Sequence, residues 1–179
     1  MPRINPVDLA QIDTQTADSL TAVRRKLGML PNLHATLALS PALLQAYLGY
    51  TEALSQGRLT ARQREIVALA MAQANGCRYC LSAHSLLGKG AGLSPDELHA
   101  ARRGQALDAQ EQAVLSLALG LLEQRGRLRD EQLDRARAAG LDDGLVLEVL
   151  GHVALNTLTN FGNNLAQTEI DFPEVALQL

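Results

Sequence analysis

The sequence of 179 residues is poor in aromatic side chains and contains only two cysteines. Phe, Tyr and Trp together make up 3% of the residues, and Trp is absent. This scarcity argues against a nucleic-acid-binding surface, because such surfaces stack bases on aromatic rings. A formal net charge of −3 also removes the electrostatic attraction to a phosphate backbone. We therefore expect no nucleic-acid partner.

Long apolar runs are missing as well. No apolar stretch reaches the roughly 20 residues that a membrane span requires, and residues 1–5 lack the apolar region of a secretory signal peptide. We therefore expect a cytoplasmic protein without a membrane partner. The two cysteines are only three positions apart and cannot cross-link a secreted fold. In the cytoplasm, such a Cys-x-x-Cys pair is typical of a redox or metal site.

Helix-forming residues are abundant, since Ala and Leu make up about a third of the chain. The sequence predicts a single-domain, all-α fold, because it has many helix start and stop signals and no alternating β-branched stretch. A helical domain is expected over residues 41–169, after an N-terminal arm with the first helices (1–40) and before an extended tail (170–179). The predicted helices of that domain are 41–56, 61–75, 78–89, 95–103, 108–126, 130–139 and 145–168.

A weak internal repeat has an offset of 48 residues. Residues 59–70 align with residues 107–118, and Ala91-Gly92-Leu93 aligns with Ala139-Gly140-Leu141. Four polar or reactive residues of the first copy then fall over residues of different chemistry: Glu65 over Ala113, Cys77 over Arg125, Cys80 over Leu128, and His84 over Gln132. This alignment indicates that the helical frame does not require the four residues, and it favours a chemical role for them.

The spacing of these residues favours an ionised cysteine. Cys80 and His84 are four positions apart and are therefore neighbours on a helix. Cys77 lies at or just before the helix start, where free backbone N–H groups favour an anion. A decrease of about 2 units from the usual thiol pKa would make thiolate the majority form at neutral pH.

Glu65 is the acidic residue of an otherwise apolar helix, in which only Gln73 is polar between Ile66 and Ala74. A buried carboxylate needs a partner, and His84 could provide one, in a nucleophile, base and orienting-acid arrangement. Two alternatives remain open from the residues alone. Glu65 could be solvated near the helix start, or all four side chains could bind a metal ion.

Other polar residues carry weaker signals. The last helix has a series of polar residues at steps of about four: Glu148, His152, Asn156, Asn160 and Asn163 or Asn164. We interpret this series as a solvated face or a subunit contact, with a buried, paired arrangement as the alternative. His34 and His99 have no partner pattern and are expected to be ordinary surface or packing residues.

Glu65 and the segment Asn75-Gly-Cys-Arg-Tyr-Cys-Leu-Ser-Ala-His84 resemble the signature of the alkylhydroperoxidase D-like (AhpD-like) family, within the carboxymuconolactone decarboxylase superfamily. That signature is a Glu followed, about one helix later, by Cys-x-x-Cys-x-x-x-His. The resemblance is to the peroxidase-related branch. It implies an AhpD-like helical bundle that forms homo-oligomers, often trimers or hexamers. We expect no cofactor.

The same resemblance implies a mechanism. Glu65 and His84 would form a proton relay, Cys80 would attack a hydroperoxide, and Cys77 would resolve the resulting sulfenic acid. Some members have a His between the two cysteines, where this chain has Tyr79, so the strength of the relay is open.

The sequence therefore predicts an antioxidant, thiol-dependent peroxidase that is reset by an external dithiol of lipoyl or thioredoxin type. Two alternatives from other classes are kept. One is a metal-holding or structural helical module that uses the same four residues. The other is a carboxymuconolactone decarboxylase-like lyase in which the cysteines are incidental.

Overall fold

A computed structural model describes residues 1–179 and contains nine α-helices and no strand. The helices are α1 (Thr14–Leu27), α2 (Asn32–Leu37), α3 (Pro41–Ser55), α4 (Ala61–Ala74), α5 (Arg78–Gly90), α6 (Pro95–Arg102), α7 (Ala109–Glu123), α8 (Asp130–Ala138) and α9 (Asp143–Ala166). The all-α prediction is confirmed. The predicted helices agree with α3 to α9 to within about three residues at each end. None of the nine helices has the length and apolar character required to cross a bilayer.

Side-chain caps determine where the helices around the site begin. Thr60 and Gln63 form the capping box that the sequence predicts for α4, and Ser94 with Glu97 does the same for α6. The last helix begins two residues earlier than predicted, because the Asp142 carboxylate accepts the backbone N–H of Leu145.

Helix α4 is the central element and packs against α5, α6, α7 and α9. Every residue from Ile66 to Ala72 is buried, as expected for a helix that is apolar on all sides. Leu69 faces one core cluster, which also contains both cysteines. Val67 and Met71 face a second cluster formed with α7 and α9.

The internal repeat holds in part. Helices α4 and α7 begin 48 residues apart and have N-caps at Thr60 and Asp108. Gly92 and Gly140 both have the positive φ that glycine adopts without strain, +87° and +90°. The repeat is interrupted between these points, since α5 begins at residue 78 and α8 begins at residue 130.

The C-terminal tail is not helical, but it lies against the body of the protein. The apolar side chains of Ile170, Phe172, Val175 and Leu177 pack against the first core cluster. The Arg102 guanidinium donates to the carbonyl oxygens of Ala176 and Gln178, at 2.7 and 3.2 Å. These bonds hold the tail across α4, α5 and α6.

Candidate active site

Glu65 and His84 are in direct contact across the α4–α5 packing. The His84 Nδ1 atom lies 2.8 Å from Glu65 Oε2, and the two side chains are 24% and 18% exposed. The Glu65 carboxylate is therefore paired with His84, and the alternative of a solvated carboxylate is wrong. Because a carboxylate accepts hydrogen bonds, Nδ1 carries the hydrogen and Nε2 remains the free ring nitrogen.

Two opposing effects act on the pKa of His84. Burial lowers it, because the charged imidazolium loses its hydration. The negative charge and the hydrogen bond of Glu65 raise it, and the result is a pKa above the usual value. His84 can therefore hold a proton one helical turn after Cys80.

Cys77 is the N-cap of α5, as its position in the sequence suggests. Its sulfur accepts the backbone N–H of Cys80 at a distance of 3.3 Å. Both thiols are free and buried, with Cys77 wholly inaccessible and Cys80 3% exposed. The two sulfur atoms are therefore adjacent within an apolar cluster.

The two cysteines differ strongly in acidity. The largest effect on Cys80 is a hydrogen bond from the Cys77 thiol; with the charge of His84 and the Asn163 amide, it outweighs burial and lowers the pKa of Cys80 to about 6. The same hydrogen bond and burial raise the pKa of Cys77. The backbone N–H groups at the start of α5 lower the pKa of Cys77, as expected, but the hydrogen bond shared with Cys80 and burial outweigh them, so the neutral thiol is favoured at Cys77.

The polar series on α9 is buried, so the interpretation as a solvated face is wrong. His152, Asn156, Asn160 and Asn163 are each at most 6% exposed. Glu148, at the edge, accepts the backbone N–H groups of Arg58 and Leu59 at 2.9 and 2.8 Å and so holds the start of α4.

Two members of the series lie next to the cysteines. The Asn163 amide donates to the Cys80 sulfur at 3.2 Å, and Asn160 accepts from the Asn75 side chain at 2.9 Å. The step of about four residues identified the series, but only the packing of α9 on α5 shows which atom each amide meets.

The metal-holding alternative loses its geometric basis. It requires at least three of Cys77, Cys80, His84 and Glu65 to converge on one point. No group of three or more His, Cys, Asp or Glu side chains in the structure is arranged to hold a metal ion.

A cavity of about 750 Å³ lies beside the Glu65–His84 pair. Its wall includes Tyr79 and Ala83, which flank Cys80 on α5, and many aliphatic side chains. His34 also lines it, packed edge-on against Tyr47 with ring centres 5.5 Å apart. Burial lowers the pKa of His34 to about 4, so this ring is neutral at pH 7. His34 is thus a buried packing residue of the cavity wall, whereas His99 is exposed.

One known family matches the segment that contains Glu65, the two cysteines and His84. Residues 41–124, from α3 to α7, match the carboxymuconolactone decarboxylase family. This segment is similar to that family. The matched segment contains Glu65, both cysteines and His84, whereas the asparagines of α9 lie outside it. No curated protein has a sequence significantly similar to the chain.

Solved structures share the fold of the matched segment and of its flanks. One is described as the alkylhydroperoxidase AhpD core of an uncharacterized peroxidase-related protein from Ralstonia eutropha JMP134. It is 23% identical, with a TM-score of 0.86 over 95% of this chain and 92% of that one. An uncharacterized peroxidase-related protein from Silicibacter sp. TM1040 is 21% identical, with a TM-score of 0.80 over 97% and 93%. The debrominase Bmp8 is 20% identical, with a TM-score of 0.78 over 94% and 91%. The AhpD-like fold is therefore established.

Proposed function

We propose that the protein is a thiol-dependent peroxidase that reduces organic hydroperoxides, with Cys80 as the nucleophile. The observation that carries this proposal is the 2.8 Å contact between His84 and Glu65, one helical turn from a cysteine of lowered pKa. A nucleophile, a base and an acid that orients the base are the parts that covalent catalysis requires.

The first step consumes the peroxide. Cys80 gives its proton to His84, and the thiolate attacks the terminal oxygen of the hydroperoxide. The O–O bond breaks, the S–O bond forms, and the electron pair leaves with the alkoxide. The alkoxide takes the proton back from His84 and departs as an alcohol. Glu65 holds the imidazole and stabilises its charged form.

The second step closes the disulfide. The Cys77 sulfur attacks the Cys80 sulfenic acid and displaces its oxygen as water, using the proton that Cys77 retained. An external dithiol of lipoyl or thioredoxin type then transfers two electrons and two protons to the disulfide and is itself oxidised. The Cys77 sulfur lies 3.3 Å from the backbone nitrogen of Cys80 at the start of α5, and this proximity supports the step.

The cavity supports a bulky organic substrate. A volume of about 750 Å³ with a largely apolar wall exceeds what hydrogen peroxide needs. The cavity is lined by His84 and Glu65, though not by the buried Cys80, so a hydroperoxide that enters it lies beside the proposed proton donor. We expect an alkyl or aryl hydroperoxide to react faster than hydrogen peroxide.

A homo-oligomer, a trimer or a hexamer, is also expected. Helix α9 exposes several large apolar side chains, among them Leu147, Phe161 and Leu165, and exposed apolar surface favours association. Light scattering coupled to size-exclusion chromatography measures the state directly.

One titration tests the proposal. The reduced protein is mixed without oxygen with one equivalent of cumene hydroperoxide, and free thiols and intact mass are measured. The expected result is the loss of both thiols and of two hydrogens, and one equivalent of alcohol. Persistence of both thiols would refute the peroxidase. A Cys77→Ser/Cys80→Ser variant that retains full activity on an acid substrate would instead support the lyase alternative.

A further inference from the structure

Asn163 places an amide donor directly on the proposed nucleophile. Its Nδ2 atom lies 3.2 Å from the Cys80 sulfur, and each residue is 3% exposed. Water is therefore excluded from this contact. In such an environment a hydrogen bond to a charged group is considerably stronger than in water.

Asn163 belongs to a cluster of four asparagines, of which three lie on α9 (residues 160, 163 and 164) and Asn75 lies at the end of α4. The Asn75 side chain donates to Asn160 Oδ1 at 2.9 Å, and Asn164 donates to the Asn75 carbonyl oxygen, also at 2.9 Å. These two bonds join α9 to the end of α4, and the first of them fixes the orientation of the Asn160 amide.

Two atoms of the cluster are left without a partner, Asn160 Nδ2 and Asn163 Oδ1, although both are fully buried. Burying polar atoms without partners costs free energy, so such a cluster requires an explanation other than stability. An anionic Cys80 sulfur provides one for the Asn160 Nδ2 donor, because it accepts from the amide N–H groups of both Asn160 and Asn163. Asn163 Oδ1 is an acceptor and stays without a partner, because the Nδ2 atom of the same amide faces the sulfur.

We propose that Asn163 is a catalytic residue that donates a hydrogen bond to the Cys80 thiolate, and that Asn160 and Asn75 are positioning residues that hold the amide cluster against this sulfur. The amide stabilises the thiolate more than the neutral thiol, since a thiol is a weak acceptor. Because the contact is made to Cys80 alone, it adds to the effects of the Cys77 thiol and of His84 that favour Cys80 as the ionised sulfur. The catalytic role rests on the proposed peroxidase, whereas the thiolate contact does not.

The test measures the acidity of Cys80 in the absence of peroxide. In a Cys77→Ser background Cys80 is the only thiol, and the serine hydroxyl retains a donor at the N-cap. Thiolate absorbance near 240 nm is recorded against pH for this protein and for the same protein with Asn163→Leu. The Cys77→Ser/Cys80→Ser protein supplies the baseline. Thr157→Val is the matched control on α9, because the Thr157 hydroxyl bonds only to the carbonyl oxygen of Val153.

Asn163→Leu is expected to raise the pKa of Cys80 by about one unit or more, which is a tenfold loss of thiolate at pH values below the pKa. Asn160→Leu should produce a smaller increase, since Asn160 contributes less than Asn163 to the lowered pKa of Cys80. Thr157→Val should leave the pKa unchanged. An unchanged pKa in folded Asn163→Leu overturns the proposal.

Two further results separate the possible failures. If Asn163→Leu does not have a native circular dichroism spectrum, NMR of the wild-type protein tests the contact between Asn163 and Cys80 instead. The Asn163 side-chain amide resonances must then shift with the midpoint of the Cys80 titration, and a pH-independent resonance overturns the proposal. If the pKa shifts as expected but wild-type protein does not consume hydroperoxide, the peroxidase is refuted and the thiolate contact stands.

Discussion

The α4–α5 region and the α7–α8 region have similar helical arrangements but differ in their polar and reactive side chains. Helices α4 and α7 begin 48 residues apart, and both copies end at a glycine of positive φ. In the second region, the residues that the 48-residue offset places over Glu65, Cys80 and His84 line one groove of about 230 Å³. They are Ala113, Leu128 and Gln132.

This difference indicates that the helical arrangement does not depend on the residues of the candidate site. The α7–α8 region brings three aligned positions together without a carboxylate, a thiol or an imidazole. The fold therefore accepts Ala, Leu and Gln at the positions that the offset aligns, although α8 begins later than this offset requires, and this favours a chemical role for Glu65, Cys80 and His84. Both regions contribute to the core, because α4 packs on α7 between the two apolar clusters.

The largest effect is expected at the sulfur that only the first region has. Cys80→Ser should reduce the rate of hydroperoxide reduction by about 10³-fold or more, because no other group in the site is a comparable nucleophile. Stopped-flow kinetics with cumene hydroperoxide measures this rate. Leu128→Ser at the aligned position should leave it unchanged. Equal losses of rate in both variants would contradict the view that the helical arrangement and the candidate site are independent.

Matched core truncations test the equivalence of the two frames. Leu69 and Leu117 are aligned and buried, one in each apolar cluster. Leu69→Ala and Leu117→Ala should each lower the free energy of unfolding by about 2–5 kcal/mol, since each leaves a cavity. Urea unfolding followed by circular dichroism measures both values. A large loss for Leu69→Ala with none for Leu117→Ala would show that only the first region carries the core.

Glu65→Gln removes the charge that raises the pKa of His84 while it preserves the shape of the side chain. We expect a loss of roughly 10²-fold in peroxide reduction. The stability effect has a defined sign. A raised histidine pKa stabilises the fold fully below the unfolded value of 6.5, and this stabilisation is lost as pH rises through the folded value.

The difference in unfolding free energy between wild type and Glu65→Gln should therefore be largest at acidic pH and decrease as pH rises. Urea titrations from about pH 5.5 to 9 measure it. Glu123→Gln, at an exposed position on α7, serves as the control and should show no such trend. A pH-independent difference would mean that Glu65 has only a packing role.

The smallest effect is expected when the missing acid is introduced into the second region. Ala113→Glu puts a carboxylate into the groove beside Leu128 and Gln132. It should change the unfolding free energy by less than about 1 kcal/mol, because Ala113 is only half-buried. It should also leave the rate of peroxide reduction unchanged. A change in rate would mean that the two regions communicate.

Sequence reasoning reached the helices and the four residues of the site, but it misjudged α9. Helix α4 is recognisable because its apolar residues cover every face and its start has a capping box. Polar residues on one face of an apolar helix usually face water or a second subunit, so the pattern of the α9 asparagines predicts a solvated face or a subunit contact. They face Cys80 and the end of α4 instead. The C-terminal tail has no helix period, so its place against α5 and α6 had no local signal.

The sequence alone determines the local features of the chain, because helix caps, apolar periodicity and the Cys-x-x-Cys-x-x-x-His spacing act over a few residues. They determine the helices and place Cys77, Cys80 and His84 on one helical turn and its cap. Only tertiary structure decided that Cys80 is the acidic sulfur. The pKa of a thiol depends on the donors and charges around it, and Glu65 and Asn163 reach the site from α4 and α9, 15 and 83 residues away from Cys80.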